Sequence, residues 1–143
     1  WLLHNTGQND EALKHIRHAL AEQRELSSPV AFTAACCLLV SQDFAAAVSY
    51  ARDFLGDGSF TASKWDAVLH FFQLCANRGD APDAVRLIDE LQGERWLPVR
   101  VALLAADKQN PDILLSVAPE FCEAARPLYE RFITPWKPLN VDL

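Results

Sequence analysis

Apolar residues in this chain recur at helical spacing, in short blocks separated by turn residues. Over about residues 11–26, Ala12, Leu13, Ile16, Ala19 and Leu20 fall at i, i+1, i+4, i+7 and i+8, which lays one buried stripe along a helix. Ser27-Ser28-Pro29 ends that block and opens the next, with Ser28 a candidate N-cap and Pro29 suited to the first helical position. From there to about Val40 nearly every residue is apolar, the pattern of a helix packed on two sides. SQDF at 41–44 makes a tight turn into a partner helix over 45–55, so the two form a hairpin. LGDGS at 55–59 is the strongest loop signal, because glycines on either side of Asp57 supply a C-cap and a flexible turn.

The hairpin then recurs. A helix from near Thr61 to about Arg78 carries Trp65, Val68, Leu69, Phe71, Phe72 and Cys75; RGDAPD breaks it, and its partner covers 84–91. After QGE at 92–94 comes the run WLPVRVALLAADKQ, then NPD at 110–112 opening a short helix, then a last helix from Pro119 through Phe132. The segment TPWKPLNVDL, residues 134–143, holds two prolines in ten residues and is expected to be extended, folding back to cover Trp136.

Superposing the second helices aligns GQNDEALKHIRHAL with SQDFAAAVSYARDFL and GDAPDAVRLIDEL, which brings Ala12, Ala47 and Ala84 to one position. Ile16, Ala51 and Ile88 follow four residues on, and Ala19, Phe54 and Leu91 three after that. A small residue lets antiparallel helices approach closely, and larger ones one and two turns on fill the space to the next pair. This spacing resembles the tetratricopeptide repeat, an antiparallel helix pair of about 34 residues. Gly7, Ala12, Ile16, Ala19 and Leu20, and again Gly79, Ala84 and Ile88, match its second helix. Ala35 and Leu38 sit where the first helix has its small and aromatic pair, whereas Phe72 takes the small position in the following unit.

The resemblance implies an all-α, right-handed α-solenoid of about three to four antiparallel hairpins over residues 1–133, with a C-terminal capping helix and the tail 134–143. Residues 95–133 would form a shortened fourth unit. Other helical-hairpin solenoids fit the same pattern. The related pentatricopeptide repeat has a compatible period, but it binds RNA, and the net charge of −6 with no Lys/Arg cluster excludes a polyanion as the favoured ligand.

Composition fits the helical class: half of the 143 residues are apolar and glycine is scarce. No window reaches the roughly 18 apolar residues of a membrane span, and no signal-peptide order opens the chain, so a cytoplasmic protein with no membrane partner is expected. Cys36, Cys37, Cys75 and Cys122 lie in apolar helical contexts without CxxC pairing and read as reduced core thiols.

Motifs for chemistry are lacking. GxSxG, the P-loop and GxGxxG after a strand are absent, and Asp10, Glu11, Asp89 and Glu90 sit at helix ends or on exposed faces. His15 and His18 share a helix face near His4, yet the register turns Ile16 inward and the histidines outward, and no HExxH completes a zinc set. No metal or other cofactor is expected.

The resemblance instead implies a non-catalytic protein-protein interaction module, a scaffold or chaperone-like protein whose concave face holds a peptide or amphipathic helix of another protein. Its groove positions fall on His4 and Asn5, on Phe32, Cys36 and Leu39, and on Asp66, Leu69, Gln73 and Asn77, with His70 beside them. The best known form of that groove clamps a terminal carboxylate with Lys and Asn; the lysines are absent here, so an apolar peptide or helix suits it better. A second reading of Phe32, Cys36 and Leu39 is packing against a neighbouring helix. The chain begins at Trp1 and contains no Met, so the alternative is a regulatory or structural part of a larger enzyme or signalling protein with its catalytic domain upstream.

Overall fold

A computed structural model of the chain describes residues 2–21, 28–41, 43–56 and 60–138, and all regular structure among them is helical. The helices are α1 (Leu2–Asn5), α2 (Asn9–Ala21), α3 (Ser28–Val40), α4 (Phe44–Gly56), α5 (Ala62–Asn77), α6 (Ala81–Asp89), α7 (Trp96–Lys108), a 3₁₀ turn (Pro111–Ser116) and α8 (Pro119–Ile133). These match the apolar blocks within a few residues, the end of the first block at 22–26 lying outside the described residues. Of the loop signal at 55–59, Leu55 and Gly56 end α4, and residues 57–59 lie outside the described residues. None of these helices is long and apolar enough to cross a membrane.

One turn is used repeatedly. After α1, α3, α5 and α7 a backbone N–H reaches back five residues to a carbonyl: Gln8 to Leu3, Asp43 to Leu38, Asp80 to Cys75 and Asn110 to Ala105. At Gln8, Asp80 and Asn110 this is the long bond of a Schellman cap, which requires a left-handed residue just before the donor. Gly7 supplies it at φ +81 and Gly79 at φ +84, where a side chain would clash with its own backbone. Gln109 takes the same role at φ 48 without being glycine.

The chain divides into two units, Trp1–Ser59 with Lys137–Leu143, and Phe60–Trp136. In the first, α3 packs on both α2 and α4. Ala47 and Ala51 of α4 are fully buried, and that smallness lets the hairpin close tightly. Phe32 of α3 stacks on Phe54 of α4 with ring centroids 4.1 Å apart. Burying one such ring stabilises by about 1.5–3 kcal/mol. The aligned positions Ala12, Ala47 and Ala84 are all buried, as are Ile16, Ala51 and Ile88; the side chain of Ala19 lies outside the described residues.

In the second unit α5 packs against α6 and α8, and α7 against the same two helices, so the four close a ring. Phe71, Phe72, Val99 and Ala102 are wholly excluded from solvent there. At one end Trp96 meets Phe60, Trp65 and Phe72 with centroids 5.4–6.1 Å apart. Thr61 caps α5, its hydroxyl accepting from the Lys64 N–H at 3.3 Å. Pro127 sits inside α8 on an exposed position, where its missing N–H leaves one helical bond unmade.

Candidate functional site

Where the structure puts the groove positions separates them into two groups. On α3, Phe32, Cys36 and Leu39 follow one another at i, i+4 and i+7 and are buried, with between 0 and 2 % of their surface exposed. They act as core of the first unit. His4, on the single turn α1, is also fully buried, and its Nδ1 lies 2.6 Å from Asn9 Oδ1. A carboxamide oxygen only accepts, so this contact places the proton on Nδ1; Cys37 Sγ lies 3.8 Å from the same nitrogen. Burial holds the His4 pKa below its ordinary value, although the Asn9 bond acts the other way. Asn5, beside it, is half-buried. His15 and His18 are exposed on α2.

The thiols read as expected. All four cysteines are free and buried. Burial pushes Cys37 up to about 11 and raises Cys75 further, with Asp80 adding to the effect at Cys75. Both stay protonated at neutral pH, which denies them the thiolate that nucleophilic or redox chemistry needs.

The second group lies on α5 and forms a polar stripe. Asp66, His70, Gln73 and Asn77 are spaced at i, i+4, i+7 and i+11, so all four face one way. Leu69 beside them is buried. The stripe is covered by the end of α8 and by segment 134–136, and the contacts are specific. Gln73 Nε2 donates to the Thr134 carbonyl at 2.9 Å. Asn77 Nδ2 donates to the carbonyls of Phe132 and Thr134, at 3.3 and 3.1 Å, while its Oδ1 accepts from the Trp136 N–H at 2.8 Å. The Trp136 ring meets His70 edge-on at 5.2 Å.

Local sequence explains why the chain lies there. Pro135 disfavours helical backbone at Thr134, which is extended at φ −86, ψ 125. The Thr134 hydroxyl turns back to the Glu130 carbonyl at 2.6 Å and closes the helix end. The two carbonyls and one N–H that α8 and the segment would otherwise leave to water then meet the two carboxamides of α5.

Arg131 orients the stripe from α8. Its Nε donates to Gln73 Oε1 at 3.2 Å and its guanidinium reaches Asp66 Oδ1 at 2.8 Å. With Oε1 fixed by that donor, the amide of Gln73 faces Thr134. Gln73 is buried, so this pairing on both ends also satisfies its desolvation. Sequence reasoning placed Gln73 and Asn77 on one face but did not find Arg131 or segment 134–136 as their partners. The available signal was Thr-Pro-Trp directly after an amphipathic helix, which predicts an extended segment carrying an apolar anchor.

Beside Asn77 lies a shallow cavity lined by Ala76, Ala106, Gln109, Phe132, Ile133 and Pro135. Comparisons with protein-family models, with curated proteins and with solved structures return no match to this chain.

Proposed function

We propose that the chain is a non-catalytic interaction module built from helical hairpins of tetratricopeptide type, with α5 as its peptide-reading element. The observation that carries this reading is the pair of carboxamides, Gln73 and Asn77, hydrogen-bonded to carbonyl and N–H groups of extended backbone. Main-chain groups are common to every peptide, so such a pair holds an extended strand whatever its side chains, and neighbouring side-chain contacts add the specificity. The five-residue backbone bond that recurs after α1, α3, α5 and α7 supports the solenoid class, because stacked hairpins need the same reversal at each step. Burial of Phe32, Cys36 and Leu39 narrows the proposed surface to the stripe on α5.

The test is selection of random extended peptides by display on the intact protein, repeated on Gln73→Ala/Asn77→Ala. Peptides enriched on the native chain and lost on the double variant support the reading. Enrichment that is equal on both proteins, with both folded by circular dichroism, refutes it.

A further inference from the structure

The stripe that would read a peptide already holds one. Segment 134–136 pairs with Gln73 and Asn77 through its main chain, and its Trp136 ring meets His70 edge-on. Resting on the reading of α5 given above, we infer that this segment is an autoinhibitory strap, and that the partner it excludes is an extended peptide carrying proline followed by an aromatic residue, in the manner of Thr134-Pro135-Trp136.

Three features support displacement over a purely structural role. Thr134 and Pro135 are exposed and Trp136 is only half-buried, so the strap is open to solvent along part of its length. Asn77 is exposed as well, and its carboxamide is accessible to a competing strand as the strap leaves. The cavity beside Asn77 has Pro135 as one wall yet is left unfilled by it, so a partner can add contacts there that the strap does not make. Such contacts are needed, because a segment joined directly to α8 competes at an effective concentration of millimolar order or above.

The requirements on the partner follow from the same geometry. One carbonyl and one N–H, those that Thr134 and Trp136 supply in the strap, must be presented on an extended backbone, and proline between them favours that conformation beforehand, which lowers the ordering cost of binding. An aromatic side chain must come next, to meet the edge of His70. A helical partner cannot supply these groups, since its backbone bonds are internal.

The experiment uses the full chain and a dye-labelled, end-blocked synthetic peptide FITPWKP, the sequence of residues 132–138, with FITPAKP as control, read by fluorescence anisotropy. Trp136→Ala in the protein loosens the strap and is expected to raise affinity for FITPWKP at least tenfold over the native chain, because the fraction of open sites rises. Trp136→Phe is expected to return to native behaviour, adding Asn77→Ala to Trp136→Ala to abolish binding, and FITPAKP to bind at least tenfold more weakly.

A second measurement needs no variant: saturating FITPWKP added to the native chain should accelerate hydrogen exchange at the Trp136 amide. Affinity unchanged or lowered by Trp136→Ala, or an exchange rate that stays constant at saturation, overturns the strap. If FITPWKP binds nothing while displayed peptides bind through Asn77, the strap inference fails and the reading of α5 stands. If neither kind of peptide binds, both fail.

Discussion

Asn77→Ala tests the attachment of segment 134–136 most directly. The substitution removes the acceptor of the Trp136 N–H at 2.8 Å and the donor shared between the Phe132 and Thr134 carbonyls at 3.3 and 3.1 Å. A net intramolecular hydrogen bond contributes about 0.5–1.5 kcal/mol. Because Asn77 is exposed, the freed groups reach water and the lower half of that range applies to each. Two effective bonds then give a loss of about 1–2 kcal/mol in local attachment, which corresponds to about a tenfold larger open population.

Native-state hydrogen exchange at the Trp136 amide reads that opening directly, and amides within α5 and α7 serve as the reference for global stability. The expected result is selective loss of protection at Trp136. Asn77→Asp keeps an acceptor for that N–H but loses the donor to the carbonyls, so it should restore part of the protection. Unchanged exchange at Trp136 in Asn77→Ala would refute the reasoning, since the segment would then be held by something other than this carboxamide.

Three further outcomes are expected. Asp66→Ala should cost no more than about 1 kcal/mol, because its side chain is 71 % exposed and the pair with Arg131 is screened, whereas Arg131→Ala should cost about 1–3 kcal/mol by also removing the donor to buried Gln73; urea denaturation that ranks them the other way contradicts the orienting role of Arg131. His4 has a folded pKa below the 6.5 of the unfolded chain, so the unfolded state binds the proton first as pH falls. Its neutral form therefore stabilises fully above 6.5 and progressively less below, and a melting curve between pH 7 and 5 should be steeper for the native chain than for His4→Gln. Gly7→Ala and Gly79→Ala each force a side chain onto positive φ, at about 1–2 kcal/mol, but only at Gly7 would the new Cβ also approach Pro138, at 3.1 Å; equal losses in thermal denaturation would show that Pro138 yields freely.

Much of the local structure was legible in the residues themselves. Apolar spacing located α2 through α6 and α8, because a helix face that must be buried repeats at the helical period whatever it packs against. Gly7 and Gly79 marked two of the recurring turns, since a left-handed residue at that point is a local requirement. The cap at Gln109 was hidden, because glutamine, unlike glycine, carries no signal for the left-handed backbone it adopts there. Burial of Ala12, Ala47 and Ala84 followed from their shared register, as did the outward position of His15 and His18.

Sequence alone therefore determined the helical class, the positions of the turns and the common face of Asp66, His70, Gln73 and Asn77. Only the tertiary structure decided what that face meets. Spacing fixes the direction of a side chain relative to its own helix, but the choice of partner depends on how distant segments close on one another. Thus identical periodicity led Phe32, Cys36 and Leu39 into a packed core and Gln73 and Asn77 onto the backbone of segment 134–136, nearly sixty residues further along the chain. The return of α8 onto α5, with Pro135 directing the chain out of its helix at Thr134, made that second contact, and neither α5 nor the tail encodes it separately.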